Sequence, residues 1–342
     1  MGKVVVVRPD LVRNDYLYWL FLWRDFNEEL VASSTGTKIL HTAPSRIEAF
    51  RFPLPSIREQ GAIADVLNIL AEKIELNRQM NKTLEATARA IFKSWFVDFE
   101  PVAAKAADRR LAGVGSQSAD VFPNGFQGSP VGSIPNGWAV SRIGDEVRVV
   151  GGSTPRTNEP TFWEGGAIHW ATPKDLATLT DPVLLDTERR ITREGLGQIS
   201  SGLLPVGIVL LSSRAPIGYL AISEVATAVN QGFIAMVCAG RLPNYYVFQW
   251  AREAMDEITS RAGGTTFAEI SRASFRPILV LVPDEPVLRA YVEVVRPLYE
   301  KIVSNVQESR ALSTVHEALL PKLFSGELRP REAEKLVGRA GA

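Results

Sequence analysis

Apolar positions recur at alternating steps of four and three in two separate stretches of the chain. The first runs Ile63, Leu67, Leu70, Ile74, Asn77, Asn81, Leu84, Ala88, Ile91 and Trp95. The second runs Tyr291, Val295, Leu298, Ile302, Asn305, Ser309, Leu312, His316, Leu319 and Leu323. A seam with this period, sustained for about four and a half heptads, predicts two coiled-coil helices. A helix from Ser56 to Phe96 would be about 60 Å long. Pro55 and Pro283 stand just ahead of the two stretches, where the chain must be extended. Pro297 falls inside the second and predicts a kink or a late helix start. Asn77, Asn81 and Asn305 interrupt the apolar seam. Such positions mark either a solvated stretch or a lock on register. Antiparallel pairing about the helix centres would set Asn81 near Asn305, Asn77 near Ser309, and His316 near Leu70 as a packing residue.

The region between the helices has a different texture. Residues 101–133 are rich in Ala, Gly, Ser and Pro without periodicity and read as a linker. From Ile134 onward, short apolar runs are bounded by Gly, Pro, Ser and Asn. They are Val147–Val150, Ile168–Ala171, Ile208–Leu211, Tyr219–Ile222 and Phe233–Cys238. These read as strands, with Tyr245–Ile258 as a helix and Ile278–Val282 closing the region. The expected fold class is α+β, a mixed-sheet domain with two long antiparallel helices.

The chain also repeats itself. Shifted by 228, residues 16–99 fall on 244–327 without a gap, with about seventeen identities in 84 positions. Tyr18 meets Tyr246, Gly36-Thr37 meets Gly264-Thr265, Asn77 meets Asn305, and Phe96 meets Phe324. The second copy is preceded by about 95 residues with no counterpart before the first, so a symmetric parent would have about 437 residues. The expected division is a remnant domain over 1–55, a helix over 56–100, a linker over 101–133, a complete domain over 134–283, a helix over 284–326 and a tail over 327–342.

Charge and composition narrow the possibilities. Of 342 residues, 46% are hydrophobic and 22% charged, a globular balance. Lys and Arg total 38, as do Asp and Glu, which excludes a generic basic nucleic-acid wrapper. Cys238 is the single cysteine, so no intrachain disulfide or cysteine-based zinc site can form. The most apolar stretch, Tyr16–Trp23, is far short of the roughly 18–20 residues that span a bilayer. A soluble cytoplasmic protein is expected.

Several loops, in order, carry a resemblance. They are Ile134-Pro-Asn-Gly-Trp138, Gly151-Gly-Ser-Thr-Pro155, Phe162-Trp-Glu-Gly-Gly166 and Thr172-Pro-Lys-Asp-Leu176. Ser212-Ser-Arg-Ala-Pro-Ile-Gly-Tyr219, Asn230-Gln-Gly-Phe233, Gly263-Gly-Thr-Thr-Phe267 and Leu323-Phe-Ser-Gly-Glu327 follow. The first copy adds Gly36-Thr-Lys-Ile39, Phe52-Pro-Leu-Pro55, Arg58-Glu-Gln60 and Ala90-Ile-Phe-Lys-Ser-Trp-Phe96. Together they resemble the specificity subunit of type I restriction–modification systems. The resemblance implies two target recognition domains separated by antiparallel spacer helices. Each domain reads half of a bipartite site in double-stranded DNA. Methylation subunits dock on this frame and restriction subunits join through the complex. It also implies that the first recognition domain here is truncated. Pairing of two chains into a symmetric homodimer stays open.

The candidate DNA-binding residues are Ser153, Thr154, Arg156, Thr172, Lys174, Arg214, Gln231, Thr265 and Thr266. Arg156 and Arg214 could take guanine bidentately, Gln231 adenine, and Lys174 a phosphate. As bare sequence, the Gly-Gly-Ser-Thr and Gly-Gly-Thr-Thr runs are plain surface turns, and Trp163 and Trp170 read as core. No catalytic residue, cofactor or metal site is expected. There is no Asn-Pro-Pro-Tyr run, P-loop or paired histidine motif. Two rival readings remain, a coiled-coil adaptor that has lost DNA reading through truncation, and a hydrolase or transferase with its site in the Gly151 and Ser212 loops, which the lack of paired acid–base groups disfavours.

Overall fold

The computed structural model describes residues 8–32, 44–109, 120–264 and 268–340. The chain divides into two compact units, one of Met1–Met80 with Ser304–Ala342, the other of Asn81–Val303. Helices Ile57–Phe96 and Glu285–Ser325 each contribute a segment to both.

The local signals explain where these helices begin and end. After Pro55, Ser56 and Glu59 form a reciprocal cap. The Ser56 N–H donates to Glu59 Oε2 at 3.2 Å, and the Glu59 N–H donates to Ser56 Oγ at 3.3 Å. The second helix starts at Glu285, upstream of Pro297, so of the two outcomes expected there, a kink or a late start, the late start does not occur. Gly326, at φ 77°, ends it, and the Leu328 N–H closes the last turn on the Lys322 carbonyl at 3.0 Å. Every position of both predicted seams is buried or half-buried, including Leu67, Leu70, Ile74, Leu84, Val295, Leu298, Ile302 and Leu312.

In the first unit, Lys73 lies 3.3 Å from Glu308, and Asn77 reaches Asn305 and Ser309, so the helix segments run antiparallel. Helices Asn14–Leu22 and Arg24–Ala32 cover them. Tyr16, Trp19, Leu20, Trp23 and Phe26 join Ile63, Leu67, Leu70, Leu319 and Phe324 in one core. Buried Gln60 ties the start of this layer to the helix. It accepts from the Arg13 N–H at 2.9 Å and donates to the carbonyls of Leu11 and Pro55. His316, expected near Leu70, has its ring 4.8 Å from that of Trp19, and burial lowers its pKa from the ordinary 6.5. The residues expected to form a C-terminal tail carry helix Pro330–Ala340, whose Ala333 is buried in this core.

The second unit holds the sheets. Its central sheet has the order Arg148–Val150, Phe233–Val237, Val209–Ser213, Ile217–Ser223 and Val183–Leu184. The last pairing is parallel and the rest antiparallel, giving the mixed sheet that the apolar runs predicted. A three-stranded sheet, Thr227–Val229, Ile168–Ala171 and Arg189–Ile191, packs a small core around Trp170, Ile191, Ile199 and Ala228. The expected helix over 245–258 is two, Asn244–Glu253 and Met255–Ser260. The residues read as linker carry helix Glu100–Ala106 and strand Phe126–Ser129, paired with Gly132–Pro135. In this unit the long helices also run antiparallel. Phe92 and Phe96 pack against Tyr291, with ring centroids 6.1 and 5.0 Å apart. Asn81 donates its side-chain amide to Asp181 at 2.8 Å.

The repeat is real but its register needs one adjustment. Tyr16 stacks on Phe324 at 4.9 Å, and Tyr246 packs on the equivalent Phe96 at 4.9 Å. Tyr18 is 58% exposed, whereas Tyr246 is 1% exposed. Tyr16, not Tyr18, is therefore the counterpart of Tyr246. The matching helices begin at Asn14 and Asn244.

Candidate nucleic-acid interface

The turn Asn230-Gln231-Gly232 joins the small sheet to the central one, and the candidate loops of the second unit gather around it. The Asn230 N–H donates to the Ala171 carbonyl at 3.0 Å, which brings the Thr172–Lys174 loop alongside. A Cβ on Gly232 would lie 2.9 Å from the Pro173 ring, so the two turns touch. From the other side, the Ser153 N–H donates to the Val229 carbonyl at 3.2 Å. A Cβ on Gly152 would lie 1.6 Å from that same carbonyl oxygen, so only glycine permits the approach. Thr154 Oγ1 then donates to Gln231 Oε1 at 2.7 Å.

The Arg214 hairpin joins through the backbone. The Ser213 N–H donates to the Gly232 carbonyl at 2.8 Å, and the Ile270 N–H donates to Ser213 at 3.0 Å. Buried Ser212 holds the hairpin closed. Its hydroxyl donates to the Pro216 carbonyl and accepts from the Tyr219 N–H, both at 2.8 Å. Gly263 and Glu269 exchange backbone hydrogen bonds at 3.0 and 2.9 Å, attaching the Gly263-Gly264 loop. Thr265 and Thr266, the remaining candidates, lie outside the described residues.

Two indole N–H groups fix the first of these loops. Trp170 Nε1 donates to the Ser153 carbonyl at 3.2 Å, and Trp163 Nε1 donates to the Arg156 carbonyl at 2.9 Å. The two rings meet edge to face at 5.0 Å. This agrees with reading them as core, and it gives that core a purpose, since the pair sets the path of Ser153–Arg156. The sequence held no sign of this, nor of Arg272, whose guanidinium lies across Gly151, 3.4 Å from where a Cβ would be.

The candidate side chains differ in what they offer. Thr154, Arg156 and Gln231 are exposed. Ser153 Oγ donates to the Gln198 carbonyl at 3.1 Å. Thr172 is half-buried and caps helix Pro173–Ala177, its hydroxyl donating to Asp175 Oδ2 at 2.6 Å. Lys174 is held by Glu188 at 2.7 Å, and this bond raises its pKa above the ordinary lysine value. Arg214 lies 3.6 Å from Glu269. The surface thus combines exposed planar polar groups, Arg156 and Gln231, with cations already matched to carboxylates.

Among the described residues no group of three or more His, Cys, Asp or Glu could hold a metal. His169 lies beside Asp186 and Thr187, and burial, followed by nearby Arg190, keeps its pKa below the ordinary value. Burial raises the Cys238 thiol to about 12, which leaves no reactive thiolate.

Comparison with known proteins places this geometry. The chain is 28% identical over 333 residues to the type I restriction enzyme MjaIX specificity subunit of Methanocaldococcus jannaschii, covering 96% of this chain and 72% of that one. It is 23% identical over 374 residues to the HindI specificity subunit of Haemophilus influenzae, covering 95% and 80%. The crystal structure of the type I restriction–modification S subunit from M. genitalium shares the fold, with a TM-score of 0.55 at 16% identity, over 93% of this chain and 74% of that one. A family model described as the type I restriction modification DNA specificity domain matches residues 2–86 and 135–305, which take in most of each copy of the repeat. The chain belongs to the type I restriction–modification DNA specificity family.

Proposed function

We propose that this chain is the DNA-recognition subunit of a type I restriction–modification complex, and that its second unit reads one half of a bipartite site. The observation that carries this reading is the convergence on Asn230–Gly232 of polar loops from distant parts of the sequence. Base edges are read by planar polar side chains held on a rigid frame, and Arg156, Arg214 and Gln231 are of the right chemistry. The helices serve as the frame on which methylation subunits dock, and restriction subunits join through the complex. The chain contributes sequence choice and no chemistry.

Electrostatics assigns part of the work to partners. Residues 134–240 hold eight basic and ten acidic side chains, a weak footprint for a polyanion. Binding by the chain alone is expected to be weak, and tight only with the methylation subunits. Nanomolar, sequence-specific binding by the isolated chain at physiological salt would overturn that division. No described helix is long and apolar enough to cross a membrane.

The test is the methylated-base map of cells with and without this chain. A bipartite motif should vanish on its removal. An unchanged map, with the complex still assembled, would instead support an adaptor that no longer reads DNA.

A further inference from the structure

We infer that Arg189 reads a guanine in the target, a specificity-determining side chain beyond the loops described above. The inference rests on the proposed recognition function. Arg189 opens the edge strand Arg189–Ile191 and sits directly across from Trp170 in the antiparallel pair. Its guanidinium carbon lies 3.5 Å from the centroid of the Trp163 ring and 5.7 Å from that of Trp170. These are the two indoles whose N–H groups hold the carbonyls of Arg156 and Ser153. Arg189 therefore rests on the same pair of rings that shapes the recognition loop.

Its neighbours explain why its donors stay available. Glu188 is taken by Lys174, and Asp186 by Arg190 at 3.1 Å. Among the described residues, the Arg189 side chain has its aromatic contacts and no carboxylate partner. Its main chain is fixed as well, since Thr187 Oγ1 donates to the Arg189 carbonyl at 2.8 Å. The result is an exposed guanidinium that lies over the Trp163 ring and, among the described residues, donates no hydrogen bond and pairs with no carboxylate.

That arrangement suits a base better than a phosphate. A phosphate accepts a cation from many directions, so a flexible lysine or arginine serves. Guanine O6 and N7 accept two parallel N–H bonds only from a fork held at the right tilt. Stacking on an indole supplies the tilt in advance and leaves the charge in place. An arginine whose one task was to cover the rings would have no need of free donors at the margin of the loop cluster.

The experiment uses the complex with its methylation subunits, in wild-type form and with Arg189→Lys and Arg189→Gln. The target is the motif that the wild-type complex leaves in the methylated-base map. Affinity is measured for that target, for versions with each G·C pair exchanged, and for unrelated DNA. Arg189→Lys keeps the charge and loses the fork. It should lose about ten-fold or more on the target, lose discrimination at one G·C pair, and stay within about two-fold on unrelated DNA. Tryptophan emission and the melting temperature of each variant report whether the ring pair has kept its place. Equal weakening on target and unrelated DNA would make Arg189 a phosphate contact and overturn the inference. Unchanged affinity in both variants would reduce it to a cover for the rings and overturn it too. A wild-type complex that leaves no motif sinks the recognition function itself.

Discussion

The side-chain amide of Asn77 donates to the main-chain carbonyl of Asn305 at 3.4 Å, and these two residues are the same position of the duplicated sequence. Two antiparallel copies of one helix can bring an equivalent pair together at a single level only, so the contact marks the point about which they are matched. The same amide reaches Glu308 at 2.8 Å and Ser309 at 3.3 Å, and Lys73 meets Glu308 from the next turn. The polar break is thus a linked set of side chains rather than a solvated gap. Asn77→Ala removes the link and should lower stability by about 1–2 kcal/mol, read as the midpoint of urea unfolding. An unchanged midpoint would show that the seam does not depend on it.

Gly152 is the residue the recognition surface can least exchange. Gly152→Ala drives a methyl into the Val229 carbonyl and must push the Ser153–Arg156 loop off Gln231. Site-specific methylation by the complex should fall at least about ten-fold, since misplacement by about an ångström is costly in positioned chemistry. Gly151→Ala meets only the Arg272 guanidinium at 3.4 Å, an ordinary contact, and should change the melting temperature little. Equal tolerance of both variants would refute the close approach.

Asp175 ties two loops together. Its Oδ2 accepts from the Thr172 N–H and hydroxyl, while its Oδ1 accepts from the Glu188 N–H at 2.7 Å. Asp175→Ala leaves these part-buried donors without their carboxylate and should cost about 1–2 kcal/mol, seen as a lower unfolding midpoint. Thr172→Ser, which keeps the hydroxyl, should cost much less. A cost from Thr172→Ser as large as that from Asp175→Ala would count against a capping role.

The buried carboxylate of Glu146 makes part of the stability depend on pH. Burial alone would raise its pKa, but hydrogen bonds from Arg241, at 3.0 Å for one pair, and from Ser141 hold it below the ordinary 4.5. A carboxyl with a lower pKa in the folded state stabilises above its unfolded pKa and loses that contribution as pH falls through the folded one. Arg241→Met leaves burial opposed by Ser141 alone, so Glu146 should take up its proton at higher pH. The acid-unfolding midpoint should then move upward. A midpoint that stays put would mean that the pair adds nothing to acid resistance.

The parts of the fold that announced themselves in the sequence are those where burial is regular. In the two seams it repeats with a fixed period, and the strands Val209–Ser213 and Phe233–Val237 are legible for a different reason, burial at every position that shows as an apolar run. Strand pair Phe126–Ser129 with Gly132–Pro135 is mostly exposed and made of turn-forming residues, so it looked like linker. Strand Arg189–Ile191 opens with two arginines and shows no apolar run. An identity misled where burial would have corrected it, since Tyr18 matches Tyr246 in letter but Tyr16 matches it in packing. The candidate side chains could be picked by type. Their convergence could not, because it depends on bonds such as Thr154 to Gln231, 77 residues apart.

Glu188 and Glu269 also set the ionic cost of meeting a polyanion. A bare lysine or arginine that reaches a phosphate frees the small ions condensed on the nucleic acid, and mixing entropy favours the encounter. Lys174 and Arg214 must first let go of a carboxylate, which then needs its own counter-ion from solution. Each exchange is nearly neutral in ions released. Attraction to arbitrary duplex is therefore muted at these two positions, and added salt takes little away. What remains to favour one stretch of sequence over another is the fit of uncharged edges.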